Sequence, residues 1–227
     1  MKFIVIMNPK GGVGKSTLAI NIAGYFANQK KTTFIVDTDP QNSAKNWLTI
    51  RPKSFAPIKI WNISTDLTIT LSGEIITKGE DKDSFKRTLN EIPYPDSYVI
   101  IDSGANLPEW KKESMLDIAH KVVIPLQPSF FDMIATFEFM QTLRYKPNFN
   151  LSKVSIVAMR VNPRTQAWST LMEFCESKKI DLLTYISDTQ KYSTFSITGT
   201  SLFDFDKSKF NKDFEQWAPL CEWLQAL

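Results

Sequence analysis

Asn8-Pro9-Lys10-Gly11-Gly12-Val13-Gly14-Lys15-Ser16-Thr17 is the stretch that decides the fold of this 227-residue chain. An apolar run, Lys2 to Met7, leads into it, and Ser16 to Asn28 follows with Leu18, Ile22, Tyr25 and Phe26 near helical spacing. Strand, glycine-rich turn and helix in that order make a phosphate cradle. The glycines let the backbone turn tightly, so that the N–H groups of Gly11, Gly12, Val13 and Gly14 face one anion. The first turn of the helix adds the positive end of its dipole. Lys15 can then reach β- and γ-phosphates, the Ser16 hydroxyl can ligate Mg²⁺, and Thr17 is placed to touch an inner phosphate.

Two carboxylate segments stand at the ends of later apolar runs. Phe34-Ile35-Val36 ends in Asp37-Thr38-Asp39-Pro40-Gln41, and Tyr98-Val99-Ile100-Ile101 ends in Asp102-Ser103-Gly104. At the carboxyl end of a parallel strand such residues face the ligand crevice. The same residues also suit an Asx-turn, a helix N-cap or a strand-end cap.

The loop departs from the standard G-x-x-x-x-G-K-[ST] pattern, with Pro9 in place of the first glycine and Lys10 before the Gly-Gly pair. Lys-Gly-Gly-x-x-Gly-Lys-Ser resembles the deviant Walker A signature of the ParA/MinD family, and the short chain is most similar to the ParF-type branch of small partition ATPases. That resemblance implies a catalytic trio. Lys15 grips the phosphates, Lys10 crosses a nucleotide-sandwich dimer to the other subunit's phosphates, and Asp39 positions the attacking water. It also implies that Asp37 and Asp102 hold Mg²⁺ through water and that Asn162, in Met159-Arg160-Val161-Asn162-Pro163-Arg164-Thr165, contacts adenine.

Pro125-Leu126-Gln127-Pro128-Ser129-Phe130-Phe131-Asp132 is similar to a segment that the family places along the dimer and nucleotide region, with Ser129 as a helix N-cap. Thr189, with Lys191 nearby, stands where many relatives carry a DNA-binding arginine. The implied function is an ATP-dependent homodimer that binds DNA non-specifically and positions plasmid or chromosome cargo. A centromere- or cargo-binding adaptor would stimulate hydrolysis, and the setting would be the cytoplasm and nucleoid. The alternatives are an ATP-dependent synthetase of the dethiobiotin type and a MinD-like membrane-cycling regulator.

Outward from the loop, apolar runs alternate with helical patterns, which predicts an α/β fold: a mainly parallel twisted sheet with helices on both faces, in one domain over residues 1–227. The strands expected are Lys2 to Met7, Thr33 to Val36, Ser97 to Ile101, Lys121 to Pro125 and Val154 to Ala158. The helices expected are Ser16 to Asn28, Ser43 to Thr49, Asp83 to Glu91 and Thr165 to Ser177. Arg51 to Gly79, broken by Pro52 and Pro57, receives no assignment.

The composition, 43% hydrophobic and 22% charged with a net charge of +3, is that of an ordinary globule and neither demands nor excludes nucleic acid. Cys175 and Cys221, far apart and without a secretory signal, favour a reducing compartment. No apolar run is long enough to cross a bilayer. Lys153, Arg160, Arg164, Lys178, Lys179, Lys191, Lys207, Lys209 and Lys212 could form a backbone-binding face in a dimer, although each lysine singly reads as solvated surface. Phe214, Trp217, Cys221 and Leu224 share a helical face that reads as core packing, because acidic residues and Pro219 do not suit a membrane-surface helix. His120 reads as structural.

Overall fold

Runs such as Phe3-Ile4-Val5-Ile6 and Val99-Ile100-Ile101 have no polar face, so each needs cover on both sides of a sheet. The computed structural model describes residues 1–61, 66–69, 75–78, 89 and 94–226. Its first half runs β1 (Lys2–Ile6), α1 (Lys15–Asn28), β2 (Thr33–Asp37), α2 (Ser43–Thr49), β3 (Lys59–Ile60), β4 (Asp66–Ile69), β5 (Ile75–Lys78) and β6 (Tyr98–Asp102). There follow α3 (Glu109–Ile118), β7 (Lys121–Leu126), α4 (Phe130–Tyr145), β8 (Val154–Val161), α5 (Gln166–Lys178), β9 (Leu182–Ser187), α6 (Gln190–Thr198) and α7 (Asn211–Gln225). Seven strands form one sheet in the order β3-β2-β6-β1-β7-β8-β9. Every described pairing in it is parallel.

Side chains alternate between the two faces, as the pleat requires. Phe3, Val5, Val99 and Ile101 join Met115 and Leu116 of α3, Phe139 and Leu143 of α4, and Leu171 and Cys175 of α5. Ile4, Ile6, Ile35 and Ile100 join Leu18, Ile22 and Phe26 of α1, Trp47 of α2, Phe195 of α6 and Trp217 and Leu220 of α7. Each fully buried aliphatic or aromatic side chain here contributes about 1.5–3 kcal/mol. Trp217, fully buried, also donates its indole N–H to the Tyr192 hydroxyl at 2.9 Å. That satisfies the one polar atom the ring carries into the core.

The α/β architecture is the one expected, and the five expected strands are present to within a few residues. Two members of the main sheet were not anticipated. β3 is two residues long, and β9 is an edge strand, mostly half-buried and bulged against β8, which blurs its apolar run. β4 and β5, an antiparallel pair, fall in the stretch that received no assignment. The helix expected over 83–91 lies outside the described residues except for Leu89, which is buried. Thr165 proves to be the N-cap of α5, its hydroxyl accepting the Trp168 N–H, and Ser129 caps α4 by accepting the Asp132 N–H. The last helix packs on β9 through Trp217, Leu220 and Leu224, in agreement with the core reading. His120 accepts the Phe3 N–H at Nδ1 (3.1 Å), which joins two adjacent elements of the fold.

Candidate nucleotide-binding site

β1 is the central strand, and the loop leaves its carboxyl end. Gly12 and Gly14 take φ of +78° and +102°, the left-handed region that an L side chain rarely adopts. A Cβ at Gly14 would also stand 3.0 Å from Cε of Met159 on β8, so the loop seats directly on that strand. The residue that shapes the turn is Asn8, which is fully buried. Its Nδ2 donates to the Pro125 carbonyl and to Thr136 Oγ1, both at 2.8 Å, and its Oδ1 accepts the Lys10 N–H at 2.9 Å. Gln127 Nε2 adds a bond to the Gly12 carbonyl at 2.8 Å. Strands β7 and β8 and helix α4 therefore hold a loop that carries three glycines among residues 8–14.

Lys15 is buried and donates Nζ to the carbonyls of Asn8 (3.2 Å) and Lys10 (2.6 Å). Burial lowers its pKa, opposed by the nearby charges of Asp102 and Asp39. Those carboxylates arrive from other strands. β6 lies between β1 and β2, and the register sets Asp102 beside both Ile6 and Asp37. Asp102 is fully buried, and neither carboxylate oxygen has a hydrogen-bond partner. Burial pushes its carboxyl up to about 7, against the pull of the Ser16 hydroxyl and the Lys15 ammonium. A buried carboxylate with no donor is costly, and in native proteins such a group is usually paired or coordinates a cation.

Asp37 differs. Its Oδ1 accepts the Asp39 N–H and its Oδ2 the Lys45 N–H, each at 3.0 Å, so it ties down the entry to α2. Burial raises its pKa, and those backbone bonds oppose the rise. Asp39 accepts the Gln41 N–H at 2.9 Å and is half-exposed.

A cleft of about 780 Å³ opens over this edge of the sheet, within the range of small-molecule sites. Gly11, Gly12 and residues 14–17 form its floor, residues 38–41 one wall, and residues 104–108 with Trp110 another. Lys10, Val13, Asp37, Asp102 and Asn162 are not among its lining residues. The Val13 side chain is core, which leaves its backbone for a ligand. Asp102 and Asp37 stand side by side at the ends of their strands. Asn162 is spent on its turn: its Oδ1 accepts the Arg164 N–H and its carbonyl accepts from Thr165. Arg160, two residues earlier, lines the cleft instead. Sequence reading placed it in the segment around Asn162 and among the basic residues of a possible DNA face, and its left-handed backbone (φ +53°) leaves no mark in the sequence.

The donor set suits magnesium. Ser16 and the partnerless Asp102 offer hard oxygens, and no cluster of three or more His, Cys, Asp or Glu occurs among the described residues. Few protein ligands, with water and phosphate completing the shell, is the usual arrangement for that ion.

A family model described as the CobQ/CobB/MinD/ParA nucleotide binding domain matches residues 4–202. The chain belongs to this family. Among curated ParA-type relatives, the chromosome-partitioning ATPase Soj of Treponema pallidum is 28% identical over 162 residues, 63% of this chain and 64% of its own length. The sporulation initiation inhibitor Soj of Bacillus subtilis is 28% identical over 166 residues, 63% of this chain and 65% of its own. The chain thus spans somewhat under two thirds of the length of these relatives. Among solved structures, a Borrelia burgdorferi chain described as a plasmid partition protein, bound to AMPPNP, superposes with a TM-score of 0.72. It is 20% identical, covering 99% of this chain and 98% of that one. MinD of Aquifex aeolicus gives 0.72 at 16% identity, covering 100% and 98%. These likenesses establish the fold. Both the ParA/MinD resemblance and the parallel-sheet expectation are borne out.

Proposed function

We propose that this chain is a ParA-type partition ATPase. It binds ATP with Mg²⁺ in the cleft, closes as a homodimer, binds DNA without sequence preference, and hydrolyses ATP when a centromere- or cargo-binding adaptor engages it. The observation that carries the reading is Asp102: a fully buried carboxylate with no hydrogen-bond partner, set against the Lys15 ammonium and the Ser16 hydroxyl beneath a loop of left-handed glycines. A triphosphate and its cation answer every one of those groups.

Lys15, now bonded to two carbonyls of its own loop, turns to the β- and γ-phosphates. The loop N–H groups and the first turn of α1 hold the phosphate chain. Ser16 and Asp102, with Asp37 alongside, hold Mg²⁺, which offsets the negative charge of the phosphate oxygens. Asp39, on the exposed wall, orients the water that attacks the γ-phosphate. Among the described residues no hydrogen bond or ion pair holds the Lys10 ammonium, which leaves it available to the phosphates of a second subunit. Loss of the γ-phosphate removes that shared contact, so the dimer opens. The cytoplasm and nucleoid are the setting this function requires.

Titration of ATP–Mg²⁺ into wild-type and Lys15→Ala protein tests the reading. The variant should lose detectable binding. Equal affinity in the two proteins would sink the loop assignment. ATPase assays with DNA and adaptor present separate a partition switch from a synthetase, which would turn over its own small substrate without either.

A further inference from the structure

Two walls of the cleft, residues 38–41 and 104–108, join at one side chain, Thr38. Just past Asp37 and Asp102, the last paired residues of β2 and β6, the Thr38 N–H donates to the Asp102 carbonyl at 3.0 Å. Its hydroxyl makes two more bonds to the same stretch. It donates to the Asp102 carbonyl at 3.2 Å and accepts the Gly104 N–H at 3.3 Å. A hydroxyl has one proton to give, and this one is committed to the end of β6. Among the described residues the Gly104 N–H has no other partner.

The backbones are close here as well. A Cβ at Gly104 would stand 3.3 Å from the Thr38 carbonyl oxygen and 3.4 Å from Cα of Asp39. Gly104 does not take a left-handed backbone, so nearness to that peptide is what disfavours a side chain. On the far side, Asp37 accepts the N–H groups of Asp39 and Lys45. Asp39 thus stands on a short turn pinned at both ends, to the entry of α2 through Asp37 and to the wall after β6 through Thr38. Its own carboxylate bonds within that turn, to the Gln41 N–H. Where the carboxylate points is set by the backbone beneath it.

We propose that Thr38 is a positioning residue for hydrolysis: its hydroxyl locks the Asp39 turn to residues 102–104, so that the two walls keep one geometry. This rests on the nucleotide reading above, in which Asp39 orients the attacking water. Thr38 touches no reacting atom in this role. Rate depends steeply on the orientation of the group that holds the nucleophile. The phosphates are held by the loop and Lys15, away from this contact. Loss of the lock should therefore appear in turnover and leave nucleotide affinity in place.

Single-turnover hydrolysis of ATP with Mg²⁺, together with calorimetric titration of AMPPNP, tests this on wild type, Thr38→Val and Thr38→Ser. Valine keeps the branched shape and removes both hydroxyl bonds; serine keeps the hydroxyl. Thr38→Val should hydrolyse at least about fivefold more slowly, the scale of one neutral hydrogen bond, with AMPPNP affinity within about threefold of wild type. Thr38→Ser should lie nearer the wild-type rate than the valine rate. A smaller loss in Thr38→Val, a serine rate nearer to valine, or a fall in affinity as large as the fall in rate overturns the proposal. Gly104→Ala presses on the same turn from the other side and should also hydrolyse slowly at near-normal affinity. It carries the test alone if Thr38→Val melts well below wild type, and an unimpaired rate in it overturns the proposal too. Wild-type protein that fails to bind AMPPNP or to hydrolyse ATP brings down the parent reading, and this inference with it. Wild-type hydrolysis matched by Thr38→Val brings down this inference alone.

Discussion

Asn8 shows how one side chain can set a functional geometry. It spends its amide on Pro125 and Thr136, both buried, and its carbonyl oxygen on the Lys10 N–H. Asn8→Ala leaves three polar groups without a partner, so it should cost about 1–3 kcal/mol in urea unfolding. It should also weaken ATP binding, because Lys10 and Gly11 lose their anchor. A variant that unfolds like wild type and binds ATP equally well would remove the anchoring role. Asp39 makes the opposite kind of residue: the one described bond of its carboxylate is within its own turn. Asp39→Ala should therefore fold and bind ATP normally but stop turnover, leaving an ATP-bound dimer. Multi-angle light scattering with ATP checks this, and a monomer would count against the assigned role.

Among elements, the join between the end of α2 and the segment before α7 is the most electrostatically committed. Arg51 donates to both oxygens of Asp204, at 2.9 and 2.7 Å, with side chains only 5% and 0% exposed. The guanidinium also lies over Trp47 and donates to the Ala56 carbonyl. Breaking a buried pair strands its partner, so Arg51→Ala should cost about 3–5 kcal/mol in urea unfolding. Burial alone would raise the Asp204 carboxyl, but Arg51, the Ser201 N–H and the Asn28 amide outweigh it and hold it below its ordinary value. The folded state thus keeps this carboxylate ionised to lower pH than the unfolded chain does. Its contribution is complete above about pH 4 and is lost as pH falls through the lower folded value. Asp204→Asn should flatten that acid limb; an unchanged pH profile would show that the pair contributes nothing.

At the scale of the whole molecule the proposed function turns on assembly. Lys10 is not among the cleft-lining residues of its own chain, which is where a crossing lysine belongs. Lys10→Ala should bind ATP yet remain monomeric by light scattering, and unchanged dimerisation would remove the crossing role. The proposed DNA face is thinner than the sequence suggested. Lys191 is paired with Asp213 at 2.5 Å, Lys153 donates to the carbonyls of Leu116 and Ala119, and Thr189 caps α6. Under the proposed function, contact with a DNA backbone would fall to the remaining basic residues.

The amino-acid sequence by itself determined the phosphate loop, the parallel α/β class and the two carboxylate-bearing strand ends. Each is a local signal: apolar runs demand burial, glycines permit a left-handed turn, and lysine with a hydroxyl at a helix start can only point one way. It also settled the last helix as core, since Trp217 and Leu224 repeat at the period of a buried face. Tertiary structure decided the rest. Asp37 and Asp102 become neighbours only because β6 inserts between β1 and β2. Asn8 finds its partners on α4 and β7, more than a hundred residues away in the chain. Arg160 lines the cleft at a break in the β8–β9 register, and Asn162, just beyond the strand, bonds within its own turn. The physical reason is that a site built across the carboxyl ends of parallel strands is assembled from segments the chain visits far apart. Which of them meet is set by strand order, and strand order is fixed by the packing of the whole sheet.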